Sequence, residues 1–259
     1  MDPNADAALS ASPLTSGWTD CEIAVRLRRG ANGSVRAEGV LCRAPVWLRW
    51  DGATLWLVGS GASPVGEDHI RVRVDVGPGV DVALRSVAAT VVYAARGCGT
   101  RWETDIFVAA DASVDWRPEP VILTERARHE TITRVHAETG ADVRFDEVLV
   151  LGRAGEPYGT LRSTLAVRVD SAEVFLTSID TSLPGWSGPA GVGDASVIAN
   201  RLRLHDSNVP VARAQRNAAR LHPAPGCTLA VAATNDVADA CAALDAVLPY
   251  TRDTACENH

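Results

Sequence analysis

The segment from Ile70 to Val76 alternates apolar and charged residues without interruption. Successive side chains of an extended strand point to opposite faces, so this pattern predicts a strand with one buried side and one side facing solvent. The Gly-Pro-Gly sequence at 77–79 predicts a turn, and the alternation resumes from Val80 to Arg85. We therefore predict a β-hairpin at this point of the chain.

Further short strands follow, separated by clusters of Gly, Pro or Asp. The predicted segments are Ala89–Ala94, Trp102–Val108, Arg128–Ala137, Val143–Leu151, Thr160–Val169 and Glu173–Asp180. Almost no helical period precedes Val209, which favours an all-β body. The segment Arg126–Glu138 carries polar residues on both faces, and a two-layer sandwich should hide one face of a central strand. An edge position or a solenoid-type winding of stacked strands fits this segment better, although no fixed repeat length is visible.

Two helical patterns lie near the C-terminus. Residues 210–221 place Val211, Ala214, Ala218 and Leu221 on one side, with Pro at the first position. The second pattern runs from Val237 to Leu248 and is followed by a proline. The predicted fold class is thus an all-β body with solenoid-type winding and one or two C-terminal helices.

Composition excludes several function classes. All 25 basic residues of the 259-residue chain are arginine, so phosphate-binding Walker loops, Schiff-base amines and Ser-x-x-Lys nucleophiles are absent. A net charge of −7 argues against a nucleic-acid binder. No apolar run approaches the length of a membrane helix, and residues 1–18 lack a signal-peptide pattern. We expect a disordered leader at 1–18, a single domain at 19–259, reduced cysteines and a cytoplasmic location.

Motifs of familiar active sites are missing from the sequence. It contains no His-Glu-x-x-His metal motif and no Gly-x-Ser-x-Gly nucleophile turn. His129 and His136 are an odd number of residues apart, so on one strand they face opposite sides and make a poor metal pair. A preformed catalytic zinc centre is therefore not expected.

Acidic residues form a more informative pattern. Asp68 lies in a loop before the strand at Ile70, and Glu147 lies beside Asp146 within an apolar strand. Glu156 follows the turn at Arg153. A buried carboxylate is costly unless it meets a cation, a hydrogen-bond donor or water. These acids either face solvent or pair with Arg153, or else they line a polar cavity or an interface.

Five segments in order resemble the UreD family of urease accessory proteins. They cover much of residues 41–204, and Glu67 stands where the family loop has its second glycine. The segments are ASPVGEDHI at 62–70, VGPGV at 76–80, RSVAATVVY at 85–93, WRPEPVIL at 116–123, and FDEVLVLGR at 145–153 followed by Gly155-Glu156.

The resemblance implies a cytoplasmic, non-catalytic scaffold. Such a protein binds apo-urease and UreF, which recruits the GTPase UreG, and the assembly delivers nickel to the urease active site. The family fold, with helically wound strands, also implies an internal polar passage for the ion. No tightly bound cofactor is expected, only transient Ni²⁺, and neither nucleic acid nor membrane is an expected partner.

A relay of this kind needs weak, hydrated carboxylates that admit an ion and release it again. On this ground Asp68, Glu147, Arg153 and Glu156 are candidate nickel-passage or partner-interface residues. Replacing any of the three acids with Ala is expected to lower the nickel content of activated urease.

Two other functions remain open at this point. A sugar-binding module would need solvent-facing aromatic rings near acids, which Trp47, Trp50 and Trp56 could supply unless they pack in a core. A hydrolase built on Asp68 and His69 would need a nucleophile, and the sequence offers no recognisable context for one.

Overall fold

A computed structural model describes residues 20–94, 97–188, 191–204 and 213–249. Over these ranges the chain forms 18 strands and one helix. In chain order they are β1 (Asp20–Arg29), β2 (Val35–Leu41), β3 (Val46–Trp50), β4 (Thr54–Gly59), β5 (His69–Val76), β6 (Asp81–Ser86), β7 (Thr90–Val92), β8 (Thr100–Val108), β9 (Ser113–Arg117), β10 (Val121–Leu123), β11 (Arg128–Ala137), β12 (Asp142–Leu151), β13 (Thr160–Val169), β14 (Ala172–Asp180), β15 (Val197–Leu204), β16 (Arg213–Gln215), β17 (Ala218–Ala224), β18 (Cys227–Thr234) and α1 (Val237–Val247).

Two sheets make up the body. The first has seven strands in the order β14-β13-β11-β8-β5-β1-β2, and the second has eleven, with a main path β16-β17-β18-β15-β12-β9-β6-β4-β3. The short strands β7 and β10 complete the second sheet beside β12. Within the described ranges, no helix has the length and apolar character needed to span a membrane.

Stacked coils connect the sheets. The chain repeatedly lays one strand in the first sheet and the next in the second, as in β5–β6, β8–β9 and β11–β12. Equivalent strands of neighbouring coils pair in parallel, with β8 between β5 and β11. The predicted solenoid-type winding is confirmed, and β11, the segment with polar residues on both faces, lies inside the sheet rather than at its edge.

The alternating pattern decides which side chains form the core. On β5, Ile70, Val72 and Val74 are buried between the sheets, while Arg71 and Arg73 lie on the outer face. Most other central strands repeat this arrangement, so apolar side chains of both sheets meet in one large cluster. Burial of this apolar area is the main favourable contribution to folding.

The predicted hairpin at 70–85 is wrong. Strands β5 and β6 lie in different sheets, and each pairs in parallel with strands of neighbouring coils instead of with the other. The Gly77–Gly79 turn is a corner between the sheets, closed by a hydrogen bond from the Val80 amide to the Gly77 carbonyl. Alternation followed by a turn is common to hairpins and solenoid corners, so the pattern alone did not distinguish them.

The predicted helix at 210–221 is also wrong, in so far as it lies within the described residues. Residues from Arg213 onward form β16 and β17, and β17 pairs with β18. Ala218 is buried as the helical pattern required, but Leu221 is exposed. Pairing with a sheet edge satisfies the backbone groups of this segment, and this tertiary contact outweighs a weak helical periodicity.

The second predicted helix is confirmed as α1. The Asp236 side chain caps its N-terminus by accepting hydrogen bonds from two backbone amides. At its other end, Arg201 donates to the Leu248 carbonyl and Arg220 to the Val247 carbonyl. Two arginines of the second sheet thus satisfy the C-terminal carbonyls and complement the negative end of the helix dipole.

The remaining strand predictions are confirmed with small changes of boundary, except that the segment at 89–94 forms only the three-residue β7. Cys21, Cys42, Cys98, Cys227 and Cys241 form no disulfide within the described ranges. The predicted leader at 1–18 lies outside the described residues.

Candidate functional site

A cavity of about 530 Å³ lies between the two sheets. Its inner wall combines inward-facing side chains of both sheets, and its outer part is formed by the segments 59–63 and 85–91. Polar and aromatic groups line the inner part: Trp102, Thr104, Trp116, His129, Thr131, Thr133, Phe145 and Glu147.

The sequence of β11 explains where the cavity lies. Its inward positions are His129, Thr131 and Thr133, followed by Val135 and Ala137. The apolar half of the strand joins the core, whereas the polar half faces the cavity. A strand that changes from polar to apolar along one face thus marks the boundary between cavity and packed core.

Of the three candidate acids, Glu147 is the one that lines the cavity. It is 7% exposed, and its carboxylate accepts hydrogen bonds from the Ser163 hydroxyl at 3.0 and 3.1 Å and from the Asn200 amide at 3.2 Å. In the part of the chain that the structure describes, no arginine or histidine forms an ion pair with it. Burial therefore raises the pKa of Glu147, although the two neutral donors lower it in part.

His129 lies deeper than any other histidine of the described ranges. The ring is 5% exposed, and its Nδ1 is 2.8 Å from the Thr100 hydroxyl oxygen. Burial lowers the pKa of His129 to about 4, so the ring is neutral at pH 7. The prediction that His129 and His136 face opposite sides is confirmed, because His136 stacks on Phe107 at the outer face, with ring centroids 4.5 Å apart.

Asp68 shapes the loop at the outer part of the cavity. Its carboxylate accepts hydrogen bonds from the Ser63 hydroxyl at 2.7 Å and the Val65 amide at 3.0 Å, and Ser63 itself lines the cavity. The neighbouring His69 turns to the outer face, where it lies 2.8 Å from Glu103. Asp68 and His69 therefore do not form the dyad that a hydrolase would need.

Arg153 and Glu156 pair with each other at a turn. The shortest distance between guanidinium and carboxylate is 2.6 Å, and Glu156 also accepts the Glu125 amide. The hydrogen bond from Arg153, helped by the Glu125 amide, lowers the pKa of Glu156 to about 2. These residues are outside the cavity wall.

Arg153, the candidate partner for these acids, pairs with Glu156 and not with Asp146 or Glu147 of β12. Asp146 points away from the cavity and pairs with Arg201 at 2.9 Å, while Glu147 points into it. Adjacent residues of a strand face opposite sides, so these two neighbouring acids have different environments.

The three tryptophans considered for sugar binding divide between two faces. Trp50 packs against the core, whereas Trp47 and Trp56 lie on the outer face of the β3–β4 pair. Their indole N–H groups donate to Ser60 at 2.9 Å and Asp51 at 2.8 Å, respectively. Neither of these two rings lines the cavity.

His129, Thr131 and Thr133 were missed as site residues by sequence reasoning. The available signal was the run of polar residues at alternate positions of 126–138, which we interpreted only as evidence about architecture. Within the described ranges, no three His, Cys, Asp or Glu side chains are grouped closely enough to form a metal cage. The cavity thus offers isolated ligands rather than a closed binding site.

The sequence is similar to proteins of one named family. A family model described as UreD urease accessory protein matches residues 28–256. A urease accessory protein UreD of Frankia casuarinae is 38% identical in an alignment of 163 positions that covers 58% of this chain and 51% of that protein. Another from Frankia alni is 30% identical in an alignment of 248 positions that covers 78% of this chain and 82% of that protein. The match thus spans about half the length of the first relative and most of the second.

Proposed function

Because the chain belongs to the UreD family of urease accessory proteins, and so has a role in urease maturation, we propose that it is a non-catalytic scaffold for nickel insertion. In this proposal it binds apo-urease and UreF, UreF recruits the GTPase UreG, and Ni²⁺ passes through the chain toward the urease active site. Nucleotide hydrolysis belongs to the partner, in agreement with the absence of a lysine-containing phosphate loop.

The observation that carries the proposal is the cluster of buried polar side chains in the wall of the cavity between the sheets. A solenoid of this composition could fill its interior with apolar side chains throughout, as β5 does. Instead, Glu147 is only 7% exposed, and its carboxylate accepts hydrogen bonds from neutral donors. His129 and two threonines lie on the facing sheet. Burying a carboxylate without a cation is unfavourable, so a cation entering the cavity gains a favourable electrostatic contact there.

The chemistry of the wall suits an ion in transit. Ni²⁺ accepts oxygen and imidazole ligands, but a cage of several protein ligands would retain it. A path needs sites that are favourable enough to enter and weak enough to leave. Isolated ligands in the described cavity support this kind of passage.

The four candidate residues receive different roles in the proposal. Glu147 is the passage residue because it lines the cavity. Asp68 supports the passage indirectly, since it holds the loop that carries Ser63. Arg153 and Glu156 are partner-interface residues, because their pair stabilises a surface turn outside the cavity.

The family membership favours urease maturation over the sugar-binding alternative. We also propose a cytoplasmic location, supported by the free thiols of the described ranges.

The test is activation of apo-urease with limiting Ni²⁺, with nickel per urease active site as the readout. Omitting this chain should lower nickel incorporation, and Glu147→Gln should lower it while co-purification with UreF and apo-urease is unchanged. Glu156→Gln is the matched control, expected to alter partner binding without reducing nickel transfer by bound complexes. Normal nickel incorporation without this chain would contradict the proposed function, and normal transfer by Glu147→Gln would contradict the role of that residue.

A further inference from the structure

The environment of His129 leaves one ring nitrogen open to the cavity. Nδ1 contacts the Thr100 hydroxyl at 2.8 Å, and the same hydroxyl lies 3.3 Å from the Arg128 carbonyl oxygen. Among the described residues, Nε2 has no hydrogen-bond partner, and the ring forms part of the cavity wall. A nine-tenths buried imidazole with one unpartnered nitrogen is thus available to a ligand inside the cavity.

The hydroxyl of Thr100 lies between Nδ1 of His129 and the carbonyl oxygen of Arg128. A threonine hydroxyl has one proton, and the Arg128 carbonyl can only accept it. When the hydroxyl donates this proton to the carbonyl, its oxygen accepts the Nδ1–H of His129, and Nε2 keeps a lone pair. Histidines that bind metals commonly donate their other ring N–H to an oxygen in this way, which fixes both the tautomer and the ring orientation.

Close packing of neighbouring coils holds this arrangement. Gly99 has a positive φ of 98°, and a Cβ there would lie 2.6 Å from the Arg128 backbone. The absence of a side chain lets the start of β8 approach β11, so that Thr100 and His129 are paired partners in the sheet. Thr100 is itself 3% exposed, so its hydroxyl is shielded from bulk water.

His129 and Glu147 lie along one path. Thr131 is paired with Ser163, and Ser163 donates to Glu147. Thr131 is two residues from His129 on the same face of β11, a step of about 7 Å along a strand. An imidazole nitrogen and a carboxylate therefore follow each other at separate positions in the cavity.

We propose that His129 Nε2, oriented by Thr100, is a coordination site for a divalent transition-metal ion inside the cavity between the sheets. The inference rests on the proposed function only for the identity of that ion as Ni²⁺. Imidazole is a good ligand for nickel, copper and zinc, whereas Mg²⁺ and Ca²⁺ prefer oxygen ligands. His129 thus makes the cavity selective for transition metals, which a carboxylate alone does not.

The test is direct titration of the purified full chain with NiCl₂ in metal-free buffer, followed by competition with excess Mg²⁺. His129→Asn removes Nε2 but keeps a polar group that can reach the Thr100 hydroxyl, and it should weaken nickel binding at least about tenfold. His136→Asn is the matched control, because it changes an outward-facing histidine of the same strand and should retain the wild-type affinity. Excess Mg²⁺ should leave nickel bound to the wild type.

Thr100→Val tests the orienting role while keeping the imidazole and the volume of the side chain. It should weaken nickel binding about tenfold, and it decides the question if far-UV circular dichroism shows that His129→Asn does not fold. Wild-type nickel affinity in a folded His129→Asn, or equal losses in His129→Asn and His136→Asn, would overturn the proposal. Unchanged affinity in Thr100→Val, when His129→Asn is unfolded, would overturn it too.

These outcomes are separate from those of the proposed function, which concern nickel transfer to urease by the wild-type chain. Loss of nickel binding in His129→Asn supports the cavity site even if the wild-type chain fails to deliver nickel to urease.

Discussion

Replacing Glu147 with Gln is expected to stabilise the metal-free protein at neutral and alkaline pH while it impairs nickel transfer. The carboxylate has hydrogen bonds from Ser163 and Asn200 but no ion pair among the described residues. A glutamine amide has the same shape, and it can accept one of these hydrogen bonds and donate to the Ser163 hydroxyl oxygen. The variant therefore removes a buried charge and leaves the packing nearly unchanged.

The sign of the pH dependence follows from the raised pKa of Glu147. The folded state keeps its proton at pH values at which the unfolded chain has lost it, so this group reduces stability as the pH rises above the unfolded value of about 4.3. Each unit by which the pKa is raised corresponds to about 1.4 kcal/mol once the pH exceeds the folded value. Weaker hydrogen bonds to a neutral amide cost roughly 1 kcal/mol. Removing a buried carboxylate that has no cation outweighs this cost, so Glu147→Gln is expected to be more stable than the wild type at pH 8. Near pH 4 the two proteins should be about equally stable.

Urea unfolding followed by tryptophan fluorescence measures this difference, with a chelator present and with several pH values between about 4 and 8. Glu130→Gln is a suitable control, because Glu130 lies on the outer face and pairs with Arg101 at 2.9 Å. It should change stability by less than about 1 kcal/mol and should show no gain at high pH. Destabilisation by Glu147→Gln at pH 8, or a difference that does not vary with pH, would refute the reasoning.

Three further predictions concern the scaffold. Arg201→Met should lower the free energy of unfolding by about 3 kcal/mol, because it leaves the buried Asp146 carboxylate without its cation. Amide hydrogen exchange in α1 should also become faster. The control Asp245→Asn should lower the free energy of unfolding by less than about 1 kcal/mol, because the Asp245 side chain is 54% exposed. Burial alone would raise the pKa of Glu103, but hydrogen bonds from arginine and histidine side chains lower it to about 2. The wild-type protein should therefore lose stability as the pH falls from 4.5 to 2, and Glu103→Gln should reduce this loss in an acid titration. Gly159→Ala should lower the midpoint of urea unfolding by the equivalent of about 1–3 kcal/mol, since its Cβ would clash with the Ala127 carbonyl oxygen. An unchanged midpoint in Arg201→Met or Gly159→Ala, or an unchanged acid titration in Glu103→Gln, would contradict the corresponding contact.

Much of the fold could be predicted because the relevant signal is local. The alternation at 70–76 identified both the strand and its buried face, and the same reasoning located β11, β12 and β13. Errors arose where a local pattern is compatible with two tertiary arrangements. A turn after β5 could lead back along the same sheet or across to the other sheet, and only the parallel partners of β5 and β6 decide between them.

The candidate site shows the same division. The sequence shows an acidic residue within the apolar segment 145–151, where burying a carboxylate would be unfavourable. The structure places this residue, Glu147, in the cavity wall. His129 was dismissed as a metal ligand because its spacing from His136 is wrong, and that spacing argument was correct. The hydrogen bond between His129 and Thr100 depends on the stacking of two coils that are about thirty residues apart in sequence, since parallel strands need a long connection.

The order of residues by itself determined which side chains turn inward, because backbone geometry makes side chains alternate along every strand. It also determined that chemistry based on a lysine side chain is missing, since the sequence contains no lysine. Only the tertiary structure decided which inward-facing polar groups meet. Contacts such as those of Glu147 with Asn200, or of His129 with Thr100, join distant segments, and their free energy depends on desolvation that exists only after the two sheets have packed.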